Sequence, residues 1–350
     1  MKKKFFAALA LALCASTITA CAAPNQTVTV APNWESNIIS EANTATTEEL
    51  SYEVKFEGQS FLNKKYYTVE YCGKDNSKPG TYTTKLEYLA DNTYRYSTSL
   101  TIDVTFTLAS GASATKTDRI TTQTTFKKAD SSLQPISSLK SVHAHSPNEY
   151  AALVLENVYN DEGVLTEKGA FTEYQYEFKI EYKDDLSGGV LTKTDLSTHK
   201  TLLLPKDELT KTVPFSITDK KYTYLDNEQY LFALRGISSE QLASAKTVSM
   251  FNASLEEMET VATTPSSAAK TSFDLILNGG EKKGYEIEYI PLTIKTNNKD
   301  ADLAQTLWYA KTTNSNDNLY RNVLLKMTVP MSYGLGSLIY TLHSANFAKE

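Results

Sequence analysis

Strict alternation of apolar and polar residues constrains this chain more than any other feature in it. From Leu100 to Leu108 (LTIDVTFTL) every second residue is apolar, so Leu100, Ile102, Val104, Phe106 and Leu108 share one side of an extended segment. The run from Tyr174 to Tyr182 (YQYEFKIEY) does the same with Tyr174, Tyr176, Phe178, Ile180 and Tyr182. Shorter versions recur at Tyr52/Val54/Phe56, Tyr67/Val69/Tyr71, Tyr94/Tyr96, Phe273/Leu275/Leu277, Tyr285/Ile287/Tyr289 and Val323/Leu325/Met327/Val329. With Thr, Lys and Glu between the apolar positions, these are strands with one buried and one wet face, the pattern of an antiparallel sheet.

Turn chemistry separates the strands. Lys78-Pro79-Gly80, Asp91-Asn92, Ala109-Ser110-Gly111, Asp184 to Gly189 and Asn278-Gly279-Gly280 each lie between two alternating runs and read as hairpin connections. Helix signals are few. Ser146-Pro147-Asn148-Glu149 combines a cap, a proline at the first helical position and an acid three residues past the cap, predicting a helix on to Tyr159. Ser238 to Lys246 predicts a second short helix, and Glu259 to Lys270 reads as a loop by composition. Two short helices cannot cover the apolar face of so wide a sheet. The expected fold is therefore mainly β: one large curved antiparallel sheet, an open or half barrel around a groove. The alternative is a β-sandwich. Few central glycines or prolines divide the chain into two packed sheets, and Gly334 and Gly336 suit the bend of a curled strand.

The start of the chain speaks to location. Lys2, Lys3 and Lys4 precede an apolar run from Phe5 to Ile18 that is too short to span a bilayer and ends at small residues, as secretory signals do. The sequence Ile18-Thr19-Ala20-Cys21 resembles the lipobox of bacterial lipoproteins. That resemblance implies a diacylglycerol on the Cys21 thiol, Cys21 as the new N-terminus, and an extracytoplasmic protein lipid-anchored to a bacterial membrane. Ordinary cleavage at Ala20-Cys21-Ala22 is the alternative. The expected organisation is a signal peptide over 1–20, a flexible tether over 21–48, rich in Ala, Thr, Asn, Ser and Glu, and a β-rich domain over 49–350.

Charge and motifs narrow the function. Loss of the three signal lysines takes the formal charge from −6 to −9, which argues against a basic surface for nucleic acid. After maturation only Cys21 and Cys72 remain, so no internal disulfide is expected, and Cys72 reads as a small buried residue. No Gly-x-Ser-x-Gly elbow, Walker loop, His-Glu-x-x-His or Cys-x-x-Cys is present. His143-Ala144-His145 has the spacing of two ligands on one strand face, with Glu149 downstream, but reads as a polar strand edge for want of a third or fourth ligand. No metal, no cofactor and no enzyme activity are expected. The pairs Asp184/Asp185 and Glu256/Glu257 read as solvated.

The second half carries a further resemblance. Tyr224 to Arg235 (YLDNEQYLFALR), followed by a meander closing at Gly334 to Leu342 (GLGSLIYTL), resembles uncharacterised secreted proteins grouped with the periplasmic lipoprotein-carrier (LolA/LolB-like) superfamily. That implies an open barrel around an apolar cavity and a lipid- or lipoprotein-handling site. The sequence thus points to binding of an apolar ligand, acyl chain or lipoprotein in a β-lined concavity. Its lining is expected at Leu100, Ile102, Val104, Phe106, Tyr174, Tyr176, Phe178 and Ile180. The alternative is a surface adhesion or envelope-scaffold module using an outer sheet face. The expected partners are the membrane, through the N-terminal lipid, and a hydrophobic ligand or an envelope protein.

Overall fold

The alternating runs become strands in the computed structural model, which describes residues 46–58, 65–129, 132–148, 152–197, 208–218, 221–236, 245–296, 304–311, 323–331 and 336–349. In the first half these are β1 (Thr46–Glu57), β2 (Tyr67–Tyr71), β3 (Gly80–Ala90), β4 (Thr93–Leu108), β5 (Ser113–Ala129) and β6 (Ser132–Pro147). After a small excursion, β7 (Val158–Tyr159) paired with β8 (Leu165–Glu167), come β9 (Phe171–Tyr182), β10 (Gly188–Asp195) and β11 (Thr210–Ser216). In β4 every second residue from Tyr94 to Leu108 is buried and none between them is, as a half-buried strand requires. The ladder runs β11–β10–β9–β6–β5–β4, and β4 then pairs with β2 along one stretch and with β3 along the other. Neighbour β3 passes the sheet on to β1.

The second half contributes β12 (Thr223–Tyr224), β13 (Lys246–Asn252), β14 (Glu257–Pro265), β15 (Ala269–Leu277), β16 (Gly280–Thr296), β17 (Gln305–Ala310), β18 (Leu324–Met331) and β19 (Gly336–Lys349). Strand β19 pairs with β1 from Thr46↔Lys349 to Glu57↔Ser337, joining both halves into one strongly curved sheet of seventeen described strands. All pairings are antiparallel except the short contacts of β12 with β13 and of β15 with β19. That second contact closes β15–β16–β17–β18–β19 into a ring of five strands. Strand β11, at one end of the described sheet, meets β13 and the turn after it through side chains. Phe215 of β11 stacks on Phe251 of β13 with centroids 3.9 Å apart, and Lys193 and Lys211 both reach Glu256, at 2.8 and 2.7 Å.

Three expectations are corrected. No helix starts at Ser146: β6 continues through Pro147, which pairs with Phe171, and the described residues from Ala152 to Asn157 are bends and coil. A capping box contributes about 1 kcal/mol, less than continuing a buried ladder. Glu259 to Lys270 is not a loop, because it holds most of β14 and the start of β15. The folded part begins before residue 49: β1 starts at Thr46, and Glu48 is buried. Residues 238–244 of the second expected helix lie outside the described residues, and Lys246 opens β13. The one α-helix described, α1 (Tyr230–Ala233), runs into a 3₁₀ turn at Leu234–Gly236.

Candidate functional site

The concave face is built from the inward residues of the alternating strands, and the segment from Tyr224 to Arg235 lies across it. Leu225 N–H donates to the Ser249 carbonyl, fastening the segment to β13, and Asp226 Oδ1 accepts from Glu228 N–H in a tight turn. The four residues of α1 are all buried. Phe232 sits 4.9 Å from Tyr96 of β4 and 5.6 Å from Phe126 of β5, centroid to centroid. Gln229 Nε2 donates to the Leu133 carbonyl, Tyr230 Oη to Gln305 Oε1, and Tyr309 Oη to the Leu231 carbonyl. The Arg235 guanidinium grips the Glu48 carboxylate with two bonds of 2.5 and 2.9 Å, at side-chain exposures of 3% and 1%. One short segment therefore ties β4, β5 and β6 to β17 and β1.

A polar cluster continues from it. Tyr182 Oη donates to Asp226 Oδ2 at 2.5 Å, Tyr224 Oη donates to Tyr182 Oη at 2.9 Å, and Lys140 pairs with Glu228 at 3.3 Å. Burial raises the Asp226 carboxyl above its ordinary range; the Tyr182 hydrogen bond pulls the other way and the Glu228 charge adds to the rise. Burial and then the Asp226 charge push the Tyr182 phenol well up. Enclosed and hydrogen-bonded, this cluster clasps the segment to β9.

All eight residues expected to line a ligand groove are in the continuous core, at 0–9% exposure. Phe106 packs on Phe171 at 4.5 Å, Tyr176 on Phe178 at 4.8 Å, and Lys193 lies 5.2 Å over the Phe178 ring. A groove open to a ligand leaves its walls accessible to water. Leu100, Ile102, Val104, Phe106, Tyr174, Tyr176, Phe178 and Ile180, expected to line such a groove, are covered by protein. Cys72, expected to be a small buried residue, is wholly buried with its Sγ 3.3 Å from the Val54 carbonyl, and burial raises its thiol pKa. Asp184 and Asp185 are exposed in the β9–β10 turn. Glu256, expected to be solvated, is the acceptor of two lysines; burial opposes the shift, but Lys193 and Lys211 hold its carboxyl below the usual range. Cys21 lies outside the described residues.

The outer face of β4, β5, β6 and β9 is different in character. Thr105 bonds Thr115, Thr117 bonds Asp103, and Ser141 bonds Glu177 across neighbouring strands. His143 and His145, which sequence reading left as a polar strand edge, stand 5.3 Å apart there with Glu173 of β9 beside them and Asp118 behind His145. Sequence offered no signal for either acid, because strand register alone brings residues 118, 143, 145 and 173 together.

Comparison with known protein families gave no match, and no curated protein matches the chain. Among solved structures, the chain is similar to the crystal structure of a β-barrel-like protein of a domain of unknown function, DUF1849, from Brucella abortus. The TM-score is 0.46 at 11% identity, over 87% of this chain and 99% of that one.

Proposed function

We propose that this protein is a non-enzymatic module of the cell envelope, tethered to a bacterial membrane through lipid on Cys21, that recognises an envelope partner with its outer sheet face. The lipobox pattern Ile18-Thr19-Ala20-Cys21 supports the anchor. Among the described residues no helix is long and apolar enough to cross a membrane, and an N-terminal lipid needs none. One observation carries the choice of face. Phe232 fills the space between Tyr96 and Phe126, and the eight core positions once expected to contact a ligand are already covered by the chain itself. A close-packed interior has no room for an acyl chain without displacing its own side chains. The surface left for recognition is the long, polar, hydroxyl-lined outer face of β4 to β6 and β9.

The test separates anchor from carrier. Mass spectrometry of the N-terminal peptide is expected to find diacylglycerol on Cys21, absent in Cys21→Ala. The Cys21→Ala protein, free of lipid of its own, is expected to bind no fluorescent fatty-acyl probe and to yield no extractable lipid. Stoichiometric probe binding that Phe178→Glu abolishes in a folded protein would replace the outer-face reading with the carrier one. Photo-crosslinkers at exposed Thr121 and Gln123 are expected to join the anchored protein to one discrete envelope component; no product at either position would remove the outer face from consideration.

A further inference from the structure

The histidine cluster on the outer face has the construction of a metal centre, and this inference does not rest on the proposed function. His143 and His145 alternate along β6 and so project to one side, while the register of β6 with β9 sets Glu173 directly across from His145. Each of the three offers one ligand atom, and these atoms all lie within 4.8 Å of one another. His143 Nε2 is 2.7 Å from Glu173 Oε1. Two donors on one zinc ion, each at about 2.1 Å, stand roughly 3.4 Å apart in a tetrahedral shell. The cluster is thus about an ångström from ligating distances, and the movement falls to the side chains of His143 and Glu173, 35% and 55% exposed, rather than to His145 at 5%.

What sets this group apart from a polar strand edge is the residue behind it. Asp118 of β5 is wholly buried, and its Oδ1 accepts from both the backbone N–H and the ring Nδ1–H of His145, at 2.8 and 2.7 Å. The β5–β6 ladder ends at Arg119↔His143, where this carboxylate takes over the role of a backbone acceptor. With its proton on Nδ1, His145 presents the lone pair of Nε2, the tautomer a metal requires, and a carboxylate behind a ligating histidine is the usual way of fixing it. The other oxygen, Asp118 Oδ2, has no hydrogen-bond partner among the described residues.

We propose that His143, His145 and Glu173 bind a zinc-class divalent transition-metal ion, with Asp118 as the positioning residue for His145. Two imidazoles and one carboxylate suit zinc, copper or nickel, whereas calcium and magnesium call for all-oxygen shells. Three protein ligands at a partly exposed site leave a fourth position for water or for a donor group on a binding partner. Arg119, exposed opposite His143, faces the same side of the sheet, and its charge opposes the cation, which sets the expected affinity in the micromolar range rather than tighter.

The full-length protein in detergent micelles, stripped with a chelator and desalted, is titrated with zinc sulfate by calorimetry and equilibrium dialysis. The expected result is one zinc per chain, with affinity at least tenfold weaker in His143→Ala and in Glu173→Ala and unchanged in His343→Ala. Asp118→Asn is expected to weaken binding 10- to 100-fold. Cobalt should give intense visible bands in the wild type that vanish in His143→Ala. Because His145 and Asp118 are buried, the two exposed ligands carry the decision, and a melting curve for each variant separates lost binding from lost fold. No zinc bound at about 100 μM free metal, or zinc retained by a folded His143→Ala/Glu173→Ala double variant, would overturn the site. Unchanged zinc affinity in a folded Asp118→Asn would remove Asp118 from it.

Discussion

The two faces of the same strands behave as different materials. On β4 and β5 the inward residues Tyr94, Tyr96, Leu100, Ile102, Val104, Phe106 and Phe126 are buried, and the chain's own segment from Tyr224 to Arg235 packs on that side. One residue away along each strand, Arg95, Ser97, Thr105, Thr117 and Thr121 face outward. Inside, the described ionic groups are enclosed and mutually dependent, as in Glu48 with Arg235. Outside, they are paired in water, as in Lys179 with Glu181. The contrast teaches that the same chemistry, a carboxylate against a cation, differs several-fold in consequence according to which side of one pleat it occupies.

The largest expected effect tests the enclosed side. Arg235→Met leaves the Glu48 carboxylate buried without a partner, and chemical denaturation should report a loss of about 4 kcal/mol. Glu48→Leu combined with Arg235→Met should recover most of it. A chain beginning at Leu50 lacks Glu48 and should fall as far as the single arginine variant; if it does not, the pair is not what fastens the segment to β1. Next comes Phe232→Ala, which opens a hole between Tyr96 and Phe126 and should cost about 3 kcal/mol in the same measurement.

Glu259 sharpens the comparison through pH. It lies on the inner face beside Asn252, and burial pushes its carboxyl up to about 7, against the Asn252 hydrogen bond and with a contribution from Glu257. Three residues earlier, Glu256 shifts the opposite way beside its two lysines. The folded state therefore holds the Glu259 proton more tightly than the unfolded chain, where glutamate titrates near ~4.3. The stability this gives is fully present below about pH 4 and is lost as pH rises through about 7. Glu259→Gln should accordingly stabilise the protein by about 2 kcal/mol at pH 8 and by almost nothing at pH 4, read from melts at both. The smallest effect belongs outside: Lys179→Ala breaks a 2.7 Å contact with a Glu181 side chain that is 65% exposed and should change stability by less than about 1 kcal/mol. A larger loss would erase the distinction between the faces.

Strand identity was legible because a period of two leaves little choice, and the turns because few residues tolerate positive φ. Asp91 and Asn92, at φ 48° and 60°, and Asn278 and Gly279, at 46° and 81°, form the hairpin turns their composition implies. The misleading signals were local ones defeated by distant partners. Ser146 and Pro147 look like a helix start, yet Phe171 and Thr172 draw them into the ladder. The inner segment was invisible as a helix because Tyr230-Leu231-Phe232-Ala233-Leu234 is apolar on every side and so shows no face. For the histidine cluster the spacing His143-Ala144-His145 was visible, but Glu149 stood in for the true neighbour. Glu173 becomes adjacent only through the pairing of β6 with β9, which no local pattern encodes.

The pairing of β1 with β19 governs when the sheet can form at all. Strand β1 finds β3 within a few dozen residues, but its other edge is matched only by the fourteen residues from Gly336 to Lys349. Closing so long a loop is entropically costly, and contacts this distant in sequence slow folding towards the millisecond-to-second range. Until β19 emerges, an unpaired edge of alternating Leu50, Tyr52 and Val54 stands open to other chains. A polypeptide built this way is kinetically committed to making β19 before its sheet can close, and any shortage of chaperone in that interval would show first as aggregation through β1.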